Sequence, residues 1–142
     1  MIEIKQCESA VYPELAGIWE RSVRATHTFL NEEDIVEIRD ALIPVYFPNA
    51  DLYRIIYDGT TAGFIGICGK NIAMLFIDDR FFGKGLGTQL IDFAKSLGAE
   101  TVEVNEQNPG ATAFYKANGF RVVDRSEYDD DGRHFPILHM SL

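Results

Sequence analysis

Disulfide chemistry has almost nothing to work with in this chain. Its two cysteines, Cys7 and Cys68, lie far apart and form no Cys-x-x-Cys pair. Two reduced cysteines packed on strands are therefore expected in place of a bridge. Three histidines, His27, His134 and His139, are scattered, and no His/Cys/Asp/Glu group has metal-ligand spacing, so no metal is expected. Basic residues are also scarce. Against 22 Asp and Glu stand 13 Lys and Arg, a net charge of −9, which weighs against nucleic acid and its demand for Lys/Arg clusters. No apolar run approaches the roughly 18 residues of a membrane helix. The amino terminus, MIEIKQCESA, lacks the basic and apolar regions of a signal peptide. The default expectation is a cytoplasmic protein with no membrane partner. There is no linker, repeat or low-complexity tract, so residues 1–142 are read as one domain. The acidity could attract a cationic amine or simply solvate the surface, and charge alone does not separate the two.

What is present is a regular alternation of strand and helix signals. Residues 2–6 alternate as a strand. From Ser9, a candidate cap, Val11, Leu15, Ile18, Trp19 and Val23 share a helical face, and Pro13 falls in the first turn. Asn31 followed by Glu32, Glu33 and Asp34 announces a second helix, which Pro44 ends or bends. Residues 52–57 and 61–68 are strands joined at Asp58-Gly59. A third run, 72–77, leads into a glycine-rich loop and a helix over about 85–97, with Gly98 at its end. A strand over 100–104 precedes Asn108-Pro109, a cap with proline at the first helical position. That short helix closes at Asn118-Gly119. Strands 120–128 and 134–141 flank an Asp129-Asp130-Asp131-Gly132 turn. The order β-α-α-β-β-β-α-β-α-β-β predicts an α/β sheet with helices on its faces.

The strongest chemical signal lies in Phe76-Ile77-Asp78-Asp79-Arg80-Phe81-Phe82-Gly83-Lys84-Gly85-Leu86-Gly87-Thr88. A buried strand runs into glycines that open a helix. Glycines allow close backbone approach, and the free N–H groups of the first turn suit a phosphate. Two other phosphate motifs fail on spacing. A Walker loop would need glycine at Asp78 and Ser or Thr at Gly85, and a dinucleotide fingerprint would need glycine at Thr88 or Leu90.

One strand later comes Asn108-x-x-Ala111-x-x-Phe114-Tyr115-x-x-x-Gly119-Phe120. The pair GxGxG then NxxAxxFYxxxGF resembles the GNAT family, the Gcn5-related N-acetyltransferases. The element order also matches, so the resemblance spans essentially the whole chain. Ser22-Val23-Arg24-Ala25-Thr26-His27 with Phe29-Leu30, together with Asn105-Glu106-Gln107-Asn108, is similar to a bacterial subgroup of these acetyltransferases.

The resemblance implies a GNAT fold, a mixed and mostly antiparallel sheet with helices on both faces. It implies acetyl-CoA as donor, with CoA as product. The main chain of Phe76, Ile77 and Asp78 would bond the pantetheine arm in a splay between strands 72–77 and 100–105. The N–H groups of Gly83, Lys84, Gly85, Leu86, Gly87 and Thr88 would hold the pyrophosphate, and Asn108 would reach the pantetheine. Lys84 and Lys116 are candidates to pair with cofactor phosphates. Tyr115 would protonate the departing thiolate. Glu103, at a strand position that carries glutamate in some relatives, and His27, near the first helix's end, are the candidate bases. One departure is Phe82, where the family motif has Arg or Gln before the first glycine. The implied reaction is direct acetyl transfer to a primary amine of a small molecule or peptide. A non-catalytic acyl-CoA-binding regulatory module with the same fold is the alternative. Acceptor contacts are expected from Trp19, His27, Phe29, Tyr46 and Phe47, in a monomer or homodimer.

Overall fold

The computed structural model describes residues 1–129 and 131–142. A seven-stranded sheet, ordered β1-β2-β3-β4-β5-β7-β6, forms its centre. Its strands are β1 (Ile2–Gln6), β2 (Asp51–Tyr57), β3 (Thr60–Cys68), β4 (Asn71–Ile77), β5 (Thr101–Asn105), β6 (Arg121–Ser126) and β7 (Ile137–Ser141). All neighbours are antiparallel except β4 and β5. Four α-helices, α1 (Tyr12–Thr26), α2 (Glu32–Ala41), α3 (Leu86–Ser96) and α4 (Pro109–Ala117), cover it.

β3 shows why the sheet needs cover on both sides. Every residue from Ala62 to Cys68 except the last is buried, the pattern of a strand with two covered faces. Ile65 and Ile67 enter a core with Leu86, Leu90 and Ile91 of α3, Val102, Val104 and Tyr115. Phe64 points the other way, into a core with Leu15, Ile18, Trp19, Ile35 and Phe47. The β2–β3 hairpin turns through Asp58 (φ 48°) and Gly59 (φ 84°), the left-handed pair that a two-residue turn requires.

Local signals place α2 and α4. Asn31 and Asp34 form a reciprocal capping box, with the Asp34 N–H donating to Asn31 Oδ1 at 2.8 Å. Ser9, by contrast, is not a cap. A single 3-10 turn over Ser9–Val11 precedes α1, whose N-cap position is Val11 with no side-chain bond. A cap at Ser9 would put Pro13 at the first position whose N–H must bond within the helix. Starting at Tyr12 leaves Pro13 among residues that have no such duty. Pro44 falls in a widened turn, Leu42–Tyr46, directly after α2.

The closing hairpin is shorter than its sequence suggests. β6 ends at Ser126 and β7 begins at Ile137, so residues 127–129 and 131–136 lie outside both strands. Pro136 cannot donate to a ladder, and its carbonyl instead accepts from the Glu106 N–H at 2.8 Å. Arg133, 14% exposed, draws Asp129, Asp131 and Glu37 inward. Asp130, in the expected turn, lies outside the described residues. Cys7 is half-buried, but Cys68 is exposed and donates to the Asn49 carbonyl, so it is not a packing residue. No helix among the described residues is long and apolar enough to cross a membrane.

Candidate active site

The parallel pair β4–β5, the only one among the described residues, creates the site. β4 and β5 pair at Asn71–Thr101 and Ile72–Val102 and then diverge. The opening contains a cavity of about 430 Å³, lined among others by His27, Phe76, Glu103, Asn108 and Tyr115. A second cavity of about 310 Å³ adjoins it and is lined by residues Gly83 through Thr88. Leu75, Phe82, Ala111, Phe114 and Tyr115 line both, so the two form one groove. Phe82 stands at the junction and is 44% exposed.

The wall formed by β4 differs from expectation. The Asp78 N–H donates to the Ala62 carbonyl at 2.8 Å, and its own carbonyl accepts from the Phe81 N–H at 2.8 Å. Main-chain groups alternate sides along an antiparallel strand, so Phe76, paired with Phe64, also turns its main chain to β3. The groups left facing the opening belong to Leu75 and Ile77. Phe76 contributes its ring, which lies 6.3 Å from that of His27.

The Asp78 side chain has a different job. It is fully buried and accepts from Arg21 (2.8 Å) on α1 and from Arg80 (2.8 Å) in the loop. Burial alone would raise its pKa, but the hydrogen bonds from Arg80 and Arg21 override this and hold the carboxyl well below the usual carboxylate range. This clamp ties α1 to the start of the glycine loop, and nothing in the sequence reading anticipated it. Asp78→Asn should destabilise the fold by about 3 kcal/mol in urea denaturation. That is the lower end of the range for a broken buried pair, because both arginines can re-enter water. The sign with pH follows from the lowered folded-state value. The carboxylate's contribution is complete above its unfolded pKa of ~4 and fades as the pH falls below it, so the gap between Asp78→Asn and the parent should close in acid.

Beyond the clamp, Gly83 (φ 79°) and Gly85 (φ 74°) take left-handed conformations, and Gly85 is the N-cap of α3. No side chain caps this helix, and its first internal bond runs from the Gln89 N–H to the Gly85 carbonyl. The N–H groups of Leu86, Gly87 and Thr88 therefore remain for a ligand, at the positive end of the helix dipole. Lys84 lines this cavity with its Nζ 5.3 Å from the centre of the Tyr57 ring. Lys116 is exposed on α4 and lines neither cavity.

Tyr115 is 7% exposed and sits between Phe114 and Phe120, at ring distances of 5.2 and 5.8 Å. Burial pushes its phenol pKa up, so the hydroxyl keeps its proton. No protein group among the described residues hydrogen-bonds that hydroxyl, which leaves it available to whatever fills the groove. At the start of the same helix, Asn108 caps α4 through its Oδ1, which accepts from the Ala111 N–H at 3.1 Å. That fixes the amide's orientation and turns Nδ2 toward His27 Nε2, 3.5 Å away. His27 Nδ1 lies 2.8 Å from Thr26 Oγ, and the Thr26 hydroxyl donates to the Ser22 carbonyl. Nε2 is thus the acceptor nitrogen, and burial lowers the His27 pKa, which keeps the ring neutral.

A third cavity of about 410 Å³ continues along β4, sharing Ala73, Met74 and Phe76 with the first. Trp19 and Tyr46 line it. Phe47 does not. It is fully buried against Tyr12 and Phe64 and belongs to the core.

The match to known proteins is direct. A family model described as the acetyltransferase (GNAT) domain covers residues 37–142. The chain belongs to the GNAT acetyltransferase family. Like its relatives it is an N-acetyltransferase, and it transfers an acetyl group to an amine. It is 39% identical to the peptidyl-lysine N-acetyltransferase YjaB of Escherichia coli (strain K12), over 99% of this chain and 97% of that protein. Peptidyl-lysine N-acetyltransferase YiaC of the same organism is 27% identical over 89% of this chain and 88% of its own. The solution structure of the apo form of YjaB superposes with a TM-score of 0.91 at 38% identity, covering 99% of this chain and 97% of that one. PaiA N-acetyltransferase from Thermoplasma acidophilum, in complex with coenzyme A, shares the fold of this GNAT protein with a TM-score of 0.72. Its identity is 21%, over 100% of this chain and 99% of its own.

Proposed function

We propose that this GNAT protein takes acetyl-CoA as donor and acetylates lysine side chains of peptides or proteins by direct transfer in a ternary complex. The observation that carries this reading is the position of Tyr115, which lines both the glycine-loop cavity and the one containing Glu103 and His27, and whose hydroxyl has no protein partner among the described residues. One side suits a pyrophosphate and the other an amine. The groove fits the cofactor's parts, with free N–H groups at the start of α3 for phosphates and the unpaired edge of β4 at Leu75 and Ile77 for an amide-bearing arm. The names of its relatives favour a peptidyl lysine, and the third cavity offers room for residues flanking it.

Acetyl-CoA supplies an already activated thioester, so the protein's tasks are to orient and to move protons. Glu103 takes a proton from the lysine ammonium, directly or through water, and frees the nitrogen lone pair. Tyr115 donates to the sulfur as it leaves. His27, kept neutral and held by Asn108, shapes the acceptor side. Thiol release should be measured with acetyl-CoA and a panel of lysine peptides, free lysine and simple primary amines. Peptides should exceed free amines in kcat/KM by roughly tenfold or more, because remote contacts contribute to the transition state. Equal rates for all amines would refute a peptide acceptor.

A further inference from the structure

Glu103 does not stand alone on β5. The β5–β7 register sets His139 directly opposite it, and β6 brings Ser126 to the far side of the ring. His139 Nδ1 lies 3.9 Å from Glu103 Oε1, an ion-pair distance. Its Nε2 lies 2.7 Å from Ser126 Oγ, within hydrogen-bond reach. The three side chains form a row across three adjacent strands. Glu103 alternates with Val102 and Val104, which are buried against α3 and α4, so the row occupies the opposite sheet face. One end of the row, Glu103, opens into the groove. His139 does not line the groove and reaches it only through Glu103.

The electrostatics select one arrangement. A carboxylate beside Nδ1 favours a proton on that nitrogen, which makes Nε2 the acceptor and the Ser126 hydroxyl the donor. The ring then has one orientation and one tautomer. Asp124 also stands opposite His139 on β6. Its Oδ1, however, accepts from the Arg125 N–H at 2.8 Å, and no ion pair joins it to the ring among the described residues.

We propose that His139 is a positioning residue for Glu103. Anchored by Ser126, its Nδ1–H attracts one carboxylate oxygen and leaves the other turned toward the acceptor amine. The proposal rests on the reading of Glu103 as the base. In the step it serves, an ammonium N–H bond breaks and the proton passes to the free Glu103 oxygen. The nitrogen pair so released bonds to the thioester carbon, and the C–S bond breaks as Tyr115 gives the leaving sulfur a proton. The nitrogen loses its second proton to water to leave a neutral amide. A half-exposed carboxylate on a strand otherwise samples several rotamers, and a base works only when held within reach of its proton.

The test is steady-state kinetics on a lysine peptide with Glu103→Gln, His139→Asn, His139→Gln, Ser126→Ala and Asp124→Asn. Asparagine presents an N–H near the place of Nδ1, whereas glutamine presents one near that of Nε2. His139→Gln should lower kcat roughly tenfold, the scale of a modest misplacement, with KM for acetyl-CoA unchanged. His139→Asn should recover most of that loss, Ser126→Ala should fall between, and Asp124→Asn should match the parent. Adding His139→Gln to Glu103→Gln should cost nothing more, because the two act as one unit. Equal rates for the Asn and Gln variants, or full additivity in the double variant, would overturn the proposal. A large loss in Glu103→Gln with none in His139→Gln defeats the positioning role alone. Full turnover in Glu103→Gln defeats the base assignment itself.

Discussion

Replacing Tyr115 with phenylalanine is expected to lower kcat by roughly 10²–10⁴-fold, the range for loss of a general acid, while affinity for acetyl-CoA stays within a few-fold. The substitution keeps the ring between Phe114 and Phe120 and removes only the hydroxyl, which no protein group among the described residues engages. Fold and cofactor binding should therefore survive. Burial has raised the pKa of this phenol. A raised value means that the protonated, donating form persists throughout the neutral and mildly alkaline range, so no falling limb from Tyr115 should appear in the pH–rate profile below about pH 10. Single-turnover measurements with a verified peptide would read the chemical step, and calorimetry would read binding. Undiminished single-turnover rates in the variant would return Tyr115 to a packing role, with water as the proton source. Asn108→Ala should show a different balance. It removes both the α4 cap and the contact to His27, and should weaken cofactor binding more than the chemical step.

Gly85→Glu is expected to abolish detectable binding of CoA, read as loss of the thermal shift that CoA gives the parent protein by mass action. Two effects combine at this position. The backbone sits at φ 74°, where any residue with a Cβ incurs roughly 1–2 kcal/mol of strain. The space where that Cβ would go is open, with nothing within 4 Å, so the side chain has room and the fold should form. The added carboxylate, however, stands at the start of α3 where the Leu86, Gly87 and Thr88 N–H groups point, and it would repel a pyrophosphate. Gly85→Ala separates the effects, since it retains the strain without the charge and should weaken binding only partly. A normal CoA shift in Gly85→Glu would mean that the loop is not the phosphate site.

The features legible in the sequence share a property: they depend on residues within one turn of each other. Asn108-Pro109 marks the start of α4 because a cap and a missing N–H act over three or four positions. Asp58-Gly59 marks a hairpin because two left-handed residues reverse the chain on the spot. The glycines of residues 83–87 mark a loop-to-helix junction for the same reason. Where such rules compete, the outcome shifts by a few residues. Pro13 moved the start of α1 past Ser9, and Pro136 moved the start of β7 to Ile137.

The site itself is a matter of register and of the third dimension. Phe76, Ile77 and Asp78 are consecutive, yet only Ile77 turns its main chain to the opening, because pairing with β3 takes the groups on either side of it. Asp78 reads as one more acid in an acidic chain until α1 folds back and Arg21 and Arg80 close on it. His139 carries no local signal at all; it gains a role only because β7 lies between β5 and β6, which puts it between Glu103 and Ser126. The sequence alone determined the order of elements, the phosphate-suited loop and the family, since each is written in local stereochemistry and short spacings. Only the tertiary structure decided which walls face each other across the splay of β4 and β5. Contacts between residues far apart along the chain depend on strand parity and helix placement, and a shift of one position would turn every side chain of a strand to the other face.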